Sequence, residues 1–419
     1  MSKRVIERFY KIRDSWNFIF HGVRMNRVLI FEMYNLAQGV PICNPKKLIR
    51  HACHTYDLSK LKFTAPNTIL STFGQQNRRD HKEVYDYVTS QLGDAVAYND
   101  LNQLQRTRCF RPWTMMKVMI GSMWSLWNCK ELCFREKLSL SLAACVYCNS
   151  LMDLEKLPLK GIKKYLSMYH VDQLENMITQ YMKLKGIPAY SLCEGVYLVD
   201  KDNLTIDSVN YTNFETEHLL VWGQYVIDAF VKEGIPQEKM IVGGYPHPVT
   251  LKPMRQQNAL KSCFVMLARR DFMEADMRLL HLLSHYSDIY HFCLKPHPNS
   301  DIDTIQDYAT AHNMEMVPQT MTINECMEDG RFDFAVAVNT TAYYEALMRG
   351  VPCLRYDDGS YILFPGGADD FRTADQFEQR IQYIATNLTN GQYQKDVDEM
   401  LRYVMGVGIN EYKKVLLPV

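Results

Sequence analysis

Apolar residues in the second half of the chain come in short unbroken runs. Phe292-Cys-Leu-Lys leads into Pro296-His297-Pro298-Asn299, and Phe334-Ala-Val-Ala-Val leads into Asn339-Thr340-Thr341. Runs of four to eight such residues, bounded by turn formers, predict strands covered on both faces. The second run continues into a helical pattern that Gly350 caps, with Pro352 just beyond. Further strands are expected at residues 67–73, 95–98, 164–171, 189–193, 219–222, 240–242, 262–268, 315–317 and 353–356. Helical periodicity falls at 81–92, 172–185 (with Asp172 as N-cap), 224–233, 273–285 and 374–404, and residues 112–150 read as two helices. Alternating strands and helices build parallel sheets, so the expected class is α/β.

The periodic pattern lapses at residues 246–257, where proline and polar residues take over. This divides the chain into a Rossmann-like domain at 1–245, a linker at 246–257, and a second Rossmann-like domain at 258–390. Residues 1–60 form a mostly helical lead-in, and residues 391–419 a helical tail expected to pack back on the domains. With 419 residues, the chain is long enough for two cores of ordinary size.

In open parallel sheets, ligands bind outside the carboxyl ends of the strands. His297, Asn339 and Thr340 all fall at such ends. Asn339, Thr340 and Thr341 stand where a helix begins and free N–H groups gather, which suits a phosphate or pyrophosphate. Two prolines stiffen the backbone around His297. Glu345, one turn into the helix, is an acceptor for ribose hydroxyls. Arg269, with Arg270, follows the strand at 262–268 and could neutralise a leaving nucleoside phosphate. Gly243-Gly244 allows close backbone approach to a phosphate. The plainer alternatives are an N-cap for Thr340, a solvated Glu345, a turn histidine at 297, and an arginine paired with Asp271 or Glu274.

The set His297-Pro298, Asn339-Thr340-Thr341 and Glu345-Ala346 resembles the carboxyl-terminal half of GT-B glycosyltransferases. More narrowly, it is similar to enzymes that assemble bacterial capsule or lipopolysaccharide. Sialyltransferases and capsule polymerases of that fold carry a His-Pro motif and a Ser-Ser/Thr motif that hold the nucleotide. UDP-N-acetylglucosamine 2-epimerases share the fold and a similar His-Pro loop. The resemblance spans roughly residues 160–365. It implies a GT-B fold with a cleft between two Rossmann-like domains. The second domain would take a nucleotide-sugar donor, with CMP-sugars favoured and UDP-sugars or CDP-polyols open. The first would take an oligosaccharide or lipid-linked glycan acceptor.

The strand at 189–193 ends in Leu192-Cys193-Glu194-Gly195, which matches only in part the Leu-Gln-His-Gly sequence, or the acidic pair and glycine, of related enzymes. A transferase needs a general base for the acceptor hydroxyl, and Glu194 is the candidate, with Gly195 providing a sharp turn. His170 and Asp80 are the reserves. Asp200-Lys-Asp202 and Asp301-Ile-Asp303 match the metal-holding Asp-x-Asp pattern, but the tripeptide is common by chance; no cofactor or strict metal requirement is expected.

Charge and cysteine content narrow this reading. Lys plus Arg and Asp plus Glu both number 47, and this neutral balance gives no support for nucleic-acid binding. Cys129, Cys133, Cys145 and Cys148 have zinc-like spacing but apolar surroundings, so buried free thiols are expected. The start of the chain has no signal-peptide pattern, which makes a reducing cytoplasm the default. The Asn-x-Thr sequons at Asn203, Asn210, Asn339 and Asn387 would then be idle. Two stretches mix aromatic and basic residues as membrane-surface helices do: residues 1–27 and 113–127. The first is the candidate for peripheral contact with the inner membrane. The plainer reading, favoured for both, is a docked helix and a core helix. Two other functions stay open: a nucleotide-sugar epimerase or hydrolase, and a non-catalytic assembly protein.

Overall fold

The computed structural model describes residues 3–42, 45–74, 79–171, 173–197, 213–248, 250–255, 260–328 and 330–417. The chain forms two compact units. The first comprises residues 1–222, 226–247 and 410–419. The second comprises 223–225 and 248–409.

In the first unit, helices α1 (Lys3–Ser15) and α2 (Ile30–Ala37) precede strand β1 (Ile69–Phe73). There follow α3 (Arg79–Leu92), β2 (Val96–Asp100), α4 (Pro112–Ser125), α5 (Phe134–Leu154), β3 (Lys164–Ser167), α6 (Gln173–Leu184), β4 (Ala189–Leu192), β5 (His218–Val221) and β6 (Met240–Val242). All six strands run parallel, in the order β2-β1-β3-β4-β5-β6. The order reverses between β1 and β3, which makes that the switch point of this sheet.

The lead-in belongs to the core. Ile6, Phe9 and Ile12 of α1 are buried together with Trp16, in one cluster with Met33 of α2 and Leu140 of α5. The spacing 6, 9, 12, 16 is one face of a helix, and it points inward. Arg8 on the other face lies near Glu131 and Glu136. Of the two readings of this basic–aromatic segment, the favoured docked helix is the one its packing matches: its aromatic side is buried in the core.

The second unit carries β7 (Ser262–Met266), α7 (Met273–Ser284), β8 (His291–Lys295), α8 (Ile302–Ala311), β9 (Glu315–Met316), β10 (Phe334–Val338), α9 (Ala342–Met348), β11 (Cys353–Tyr356), β12 (Asp370–Phe371), α10 (Ala374–Asn390) and α11 (Gln392–Met405). Its sheet is also fully parallel, in the order β9-β8-β7-β10-β11-β12. Numbered from its own first strand this is 3-2-1-4-5-6, the dinucleotide-fold order, with its switch point between β7 and β10. The residues of β7 and β10 after their first are buried, as covered strands require. The α/β class and the two Rossmann-like units are thus present, which is the two-unit organisation of the GT-B class.

The tail is helical and divided between the two units. It breaks at Gly391, whose φ of +76° separates α10 from α11. α11 stays with the second unit: the Tyr393 hydroxyl accepts from the Cys353 amide, and Gln394 accepts from Met254 N at 2.6 Å. Only the last residues, with helix α12 (Tyr412–Leu416), belong to the first unit. Two left-handed glycines, Gly406 and Gly408, end α11 and let the chain change direction.

Candidate functional site

The loops after β7 and β10 form the second unit's switch point. Met266 pairs with Lys295 on one side and Ala337 on the other, so the three strands end level. His297 and Asn339 each lie two residues past that line. They are two strand spacings apart, roughly 10 Å. The structure therefore brings His297, Arg269 and Asn339-Thr340-Thr341 to one edge of one sheet.

Each loop is anchored. The Ser300 hydroxyl, just after His297, donates to Ala268 O at 2.8 Å, tying the β8 loop to the β7 loop. Asp276, fully buried in the first turn of α7, accepts from Ala268 N at 3.0 Å. Burial pushes its carboxyl up to about 7, against the pull of that N–H. The His297 ring is held from inside its own turn: Nδ1 accepts from Asn299 N at 3.1 Å. In a neutral imidazole this places the proton on Nε2 and makes that nitrogen the donor.

Asn339 has a φ of +34°, in the left-handed region that asparagine tolerates better than most residues. Its Oδ1 is shielded from solvent and accepts no hydrogen bond from any described residue. The Thr340 hydroxyl accepts from Ala342 N at 3.3 Å, which leaves its own proton to donate. Thr341 is the N-cap of α9 by position but makes no side-chain capping bond. Asn339 and Thr340 border a narrow pocket with Ala337, Tyr343, Arg355, Leu363 and Phe364. Its floor is a satisfied network. Arg355 Nε donates to Asp369 Oδ1 at 2.7 Å, its guanidinium lies 5.2 Å from the Tyr343 ring centre, and Tyr343 donates to the same carboxylate.

The other candidates are placed less uniformly. Arg269 sits 3.3 Å from Asp271 and stacks by Phe272 at 5.6 Å, the plainer pairing foreseen for it. Glu345 is half-buried in the first turn of α9. Gly350 takes φ +72° after α9, and an added Cβ would lie 2.2 Å from Pro253 O, so glycine is required there. Asp301 caps α8 through Thr304 N. Asp172, Asp200, Asp202, Asn203 and Asn210 lie outside the described residues, as does the side chain of Asp80.

Glu194, Gly243 and Gly244 belong to the first unit. Glu194 follows β4 and accepts a hydrogen bond from the buried Tyr197 hydroxyl. Gly195 does not take a left-handed φ, so its turn asks nothing special of glycine. Gly243 follows β6, and an added Cβ would lie 2.7 Å from the Tyr412 ring. Tyr412 also donates to Gly244 O at 2.7 Å. The close approach at this double glycine is thus made by Tyr412. His170 is 1% exposed, with its ring 5.2 Å from the Phe214 ring.

The zinc spacing does not form a site. Cys133 is exposed at the start of α5 and Cys145 is buried twelve residues along it, roughly 18 Å away at helical rise. Burial raises the Cys145 thiol to about 12. Another group of chemical side chains, His291, Cys293 and Glu315, has donor atoms within 4.8 Å of one another. It lies at the amino end of β8, away from the rim, and His291 and Glu315 are joined by a cross-strand hydrogen bond of 3.0 Å.

Sequence reasoning passed over Asp276, Arg355 and Asp369. The available signals were an acid on the apolar face of a helix and an arginine inside a buried strand.

No family model matches the chain, and neither does any curated protein. Among solved structures, it is similar to the apo form of the lipopolysaccharide outer core galactosyltransferase WaaB: TM-score 0.48, 12% identity, covering 83% of this chain and 98% of that one. It is also similar to UDP-GlcNAc 2-epimerase from Neisseria meningitidis bound to UDP-GlcNAc: TM-score 0.47, 14% identity, covering 83% and 98%. A third is the S. aureus MnaA–UDP co-structure: TM-score 0.48, 11% identity, covering 83% and 96%.

Proposed function

We propose that the chain is a metal-independent GT-B glycosyltransferase that moves a sugar from a nucleotide-sugar donor to a growing capsule or lipopolysaccharide glycan. The observation that supports this reading is at the switch-point rim of the second unit: His297 and Asn339 follow strands two apart, and the shielded Asn339 Oδ1 accepts no hydrogen bond from a described residue. A buried polar atom without a partner is costly, and a polar ligand group removes that cost. His297 Nε2 and the Thr340 hydroxyl supply donors to phosphate oxygens, and Arg269 adds positive charge as the nucleoside phosphate departs. Glu345 takes ribose hydroxyls. Glu194 takes the proton of the acceptor hydroxyl. CMP-sugars are the favoured donors, and UDP-sugars the next.

Incubation with CMP- and UDP-sugars, with and without capsule or lipopolysaccharide oligosaccharides, tests the reading. Glycan-dependent release of nucleotide supports it. Conversion of a UDP-sugar without any glycan would instead assign an epimerase or hydrolase.

A further inference from the structure

Helix α4 is not the core helix its composition suggests. Its inner face packs on the first unit through Val118 and Ser122, and Ser122 takes the Trp16 indole N–H at 3.1 Å. The outer face and its flanks carry Phe110, Trp113, Met116, Ile120, Trp124 and Trp127, with the three tryptophans 72%, 81% and 71% exposed. Steps of three and four residues put the members within the helix on one stripe. A continuous apolar stripe of this size on a folded surface marks an interaction site.

The surrounding charge identifies what covers it. Lys117 lies within the stripe, at helical spacing from Trp113 and Ile120, and is exposed. Lys130, Arg135 and Lys137 follow around Trp127 and Phe134, and Lys137 reaches the Trp127 carbonyl at 3.0 Å. The nearby acids are engaged elsewhere: Glu131 lies 3.7 Å from Lys11, and Glu136 caps α5 through Cys133 N. Protein interface cores are depleted in lysine, whereas a lysine beside tryptophans reaches up to lipid phosphates while its stem lies on the apolar layer. Tryptophan is enriched at membrane–water interfaces. No described helix is long and apolar enough to cross a bilayer, so the stripe would lie in the interface plane.

We propose that α4 and its flanks dock the protein on a membrane surface rich in anionic lipid. This contact differs in place from the N-terminal segment, whose aromatic face is buried. It does not depend on the catalytic reading.

The chain has five tryptophans; Trp16 is fully buried and Trp222 is 6% exposed. Vesicles of phosphatidylethanolamine and phosphatidylglycerol with brominated acyl chains should therefore quench the emission of the three stripe tryptophans and spare the other two. Binding should fall at high salt, and phosphatidylcholine vesicles should bind at least ~10-fold more weakly. Trp124→Gln with Trp127→Gln should weaken binding at least ~10-fold, because interfacial tryptophans contribute large apolar area. The unfolding midpoint should be unchanged, since both residues are exposed. Failure of the intact chain to bind anionic vesicles at low salt would overturn the proposal. So would equal binding to both vesicle types, or self-association by light scattering that the double variant abolishes, which would identify a second copy as the cover.

Discussion

The two sheets solve the same local problem and leave different surfaces. Each has an acid in the first turn of a helix that holds the backbone at a neighbouring strand end. In the first unit Glu175 accepts from Met168 N, Tyr169 N and the Thr72 hydroxyl, at 3.2, 3.0 and 2.9 Å. In the second unit Asp276 accepts, among the described residues, from Ala268 N, and its Oδ2 is buried with no hydrogen bond from any of them. The contrast continues along each edge. The first unit covers His170 and fills the space at Gly243 with Tyr412. The second leaves Asn339 Oδ1 shielded and unsatisfied next to a pocket. A shielded polar atom beside a pocket at a switch point is where a polar ligand group gains most.

The largest effect is expected at Glu194. If it is the base, Glu194→Gln should lower turnover by ~10²–10⁴-fold while nucleotide binding by the second unit is kept. Unchanged turnover would leave the first unit without its assigned role.

Next in size is Arg355→Met, which strands the buried Asp369 carboxylate beneath the pocket. Loss of one partner of a buried pair costs about 3–5 kcal/mol, read as a lower midpoint in urea.

The two acids sharpen the contrast directly. Glu175→Gln offers one oxygen where two carboxylate oxygens hold separate N–H groups, and should cost about 2–3 kcal/mol. Asp276 adds a pH dependence. Its folded value, about 7, lies above the unfolded value of 3.8, so between those limits the native state binds more protons. The stability it contributes is complete below pH 3.8 and is lost as pH rises through 7. At about 1.4 kcal/mol per unit the loss reaches up to ~4 kcal/mol. Asp276→Asn should flatten this part of the stability–pH curve and cost little at neutral pH. A slope that survives the substitution would assign it to another group.

The smallest effect is expected from Gly243→Ala. Forcing a methyl against the Tyr412 ring should cost about 1–3 kcal/mol, with nucleotide binding by the folded protein intact. Lost binding at unchanged stability would return Gly243 to the donor site.

Much of this architecture was legible from periodicity. The runs at 262–266, 291–295 and 334–338 are so apolar that only covered strands accommodate them, and the residues after them had to lie at strand ends. What periodicity could not convey was partnership. Nothing local says that Gly243 makes room for Tyr412, nearly 170 residues away, or that Arg355 meets Asp369 across a loop. The residues at 113–127 misled for a related reason: their apolar content suggested a core, but a helix apolar on both faces does not say which face is covered. Nor does a double glycine say which group comes close to it, and at Gly243 the nearest side chain is Tyr412.

The most direct test of the contrast is thermal unfolding of the intact protein with CMP, CDP, UDP or GDP, for the wild type and for His297→Ala and Asn339→Ala. Native-state binding raises the midpoint by mass action. One nucleotide class should raise the wild-type midpoint, and both substitutions should abolish the rise. No rise with any nucleotide, or a rise that persists in both variants, would contradict the assignment of the second unit's edge as the nucleotide site.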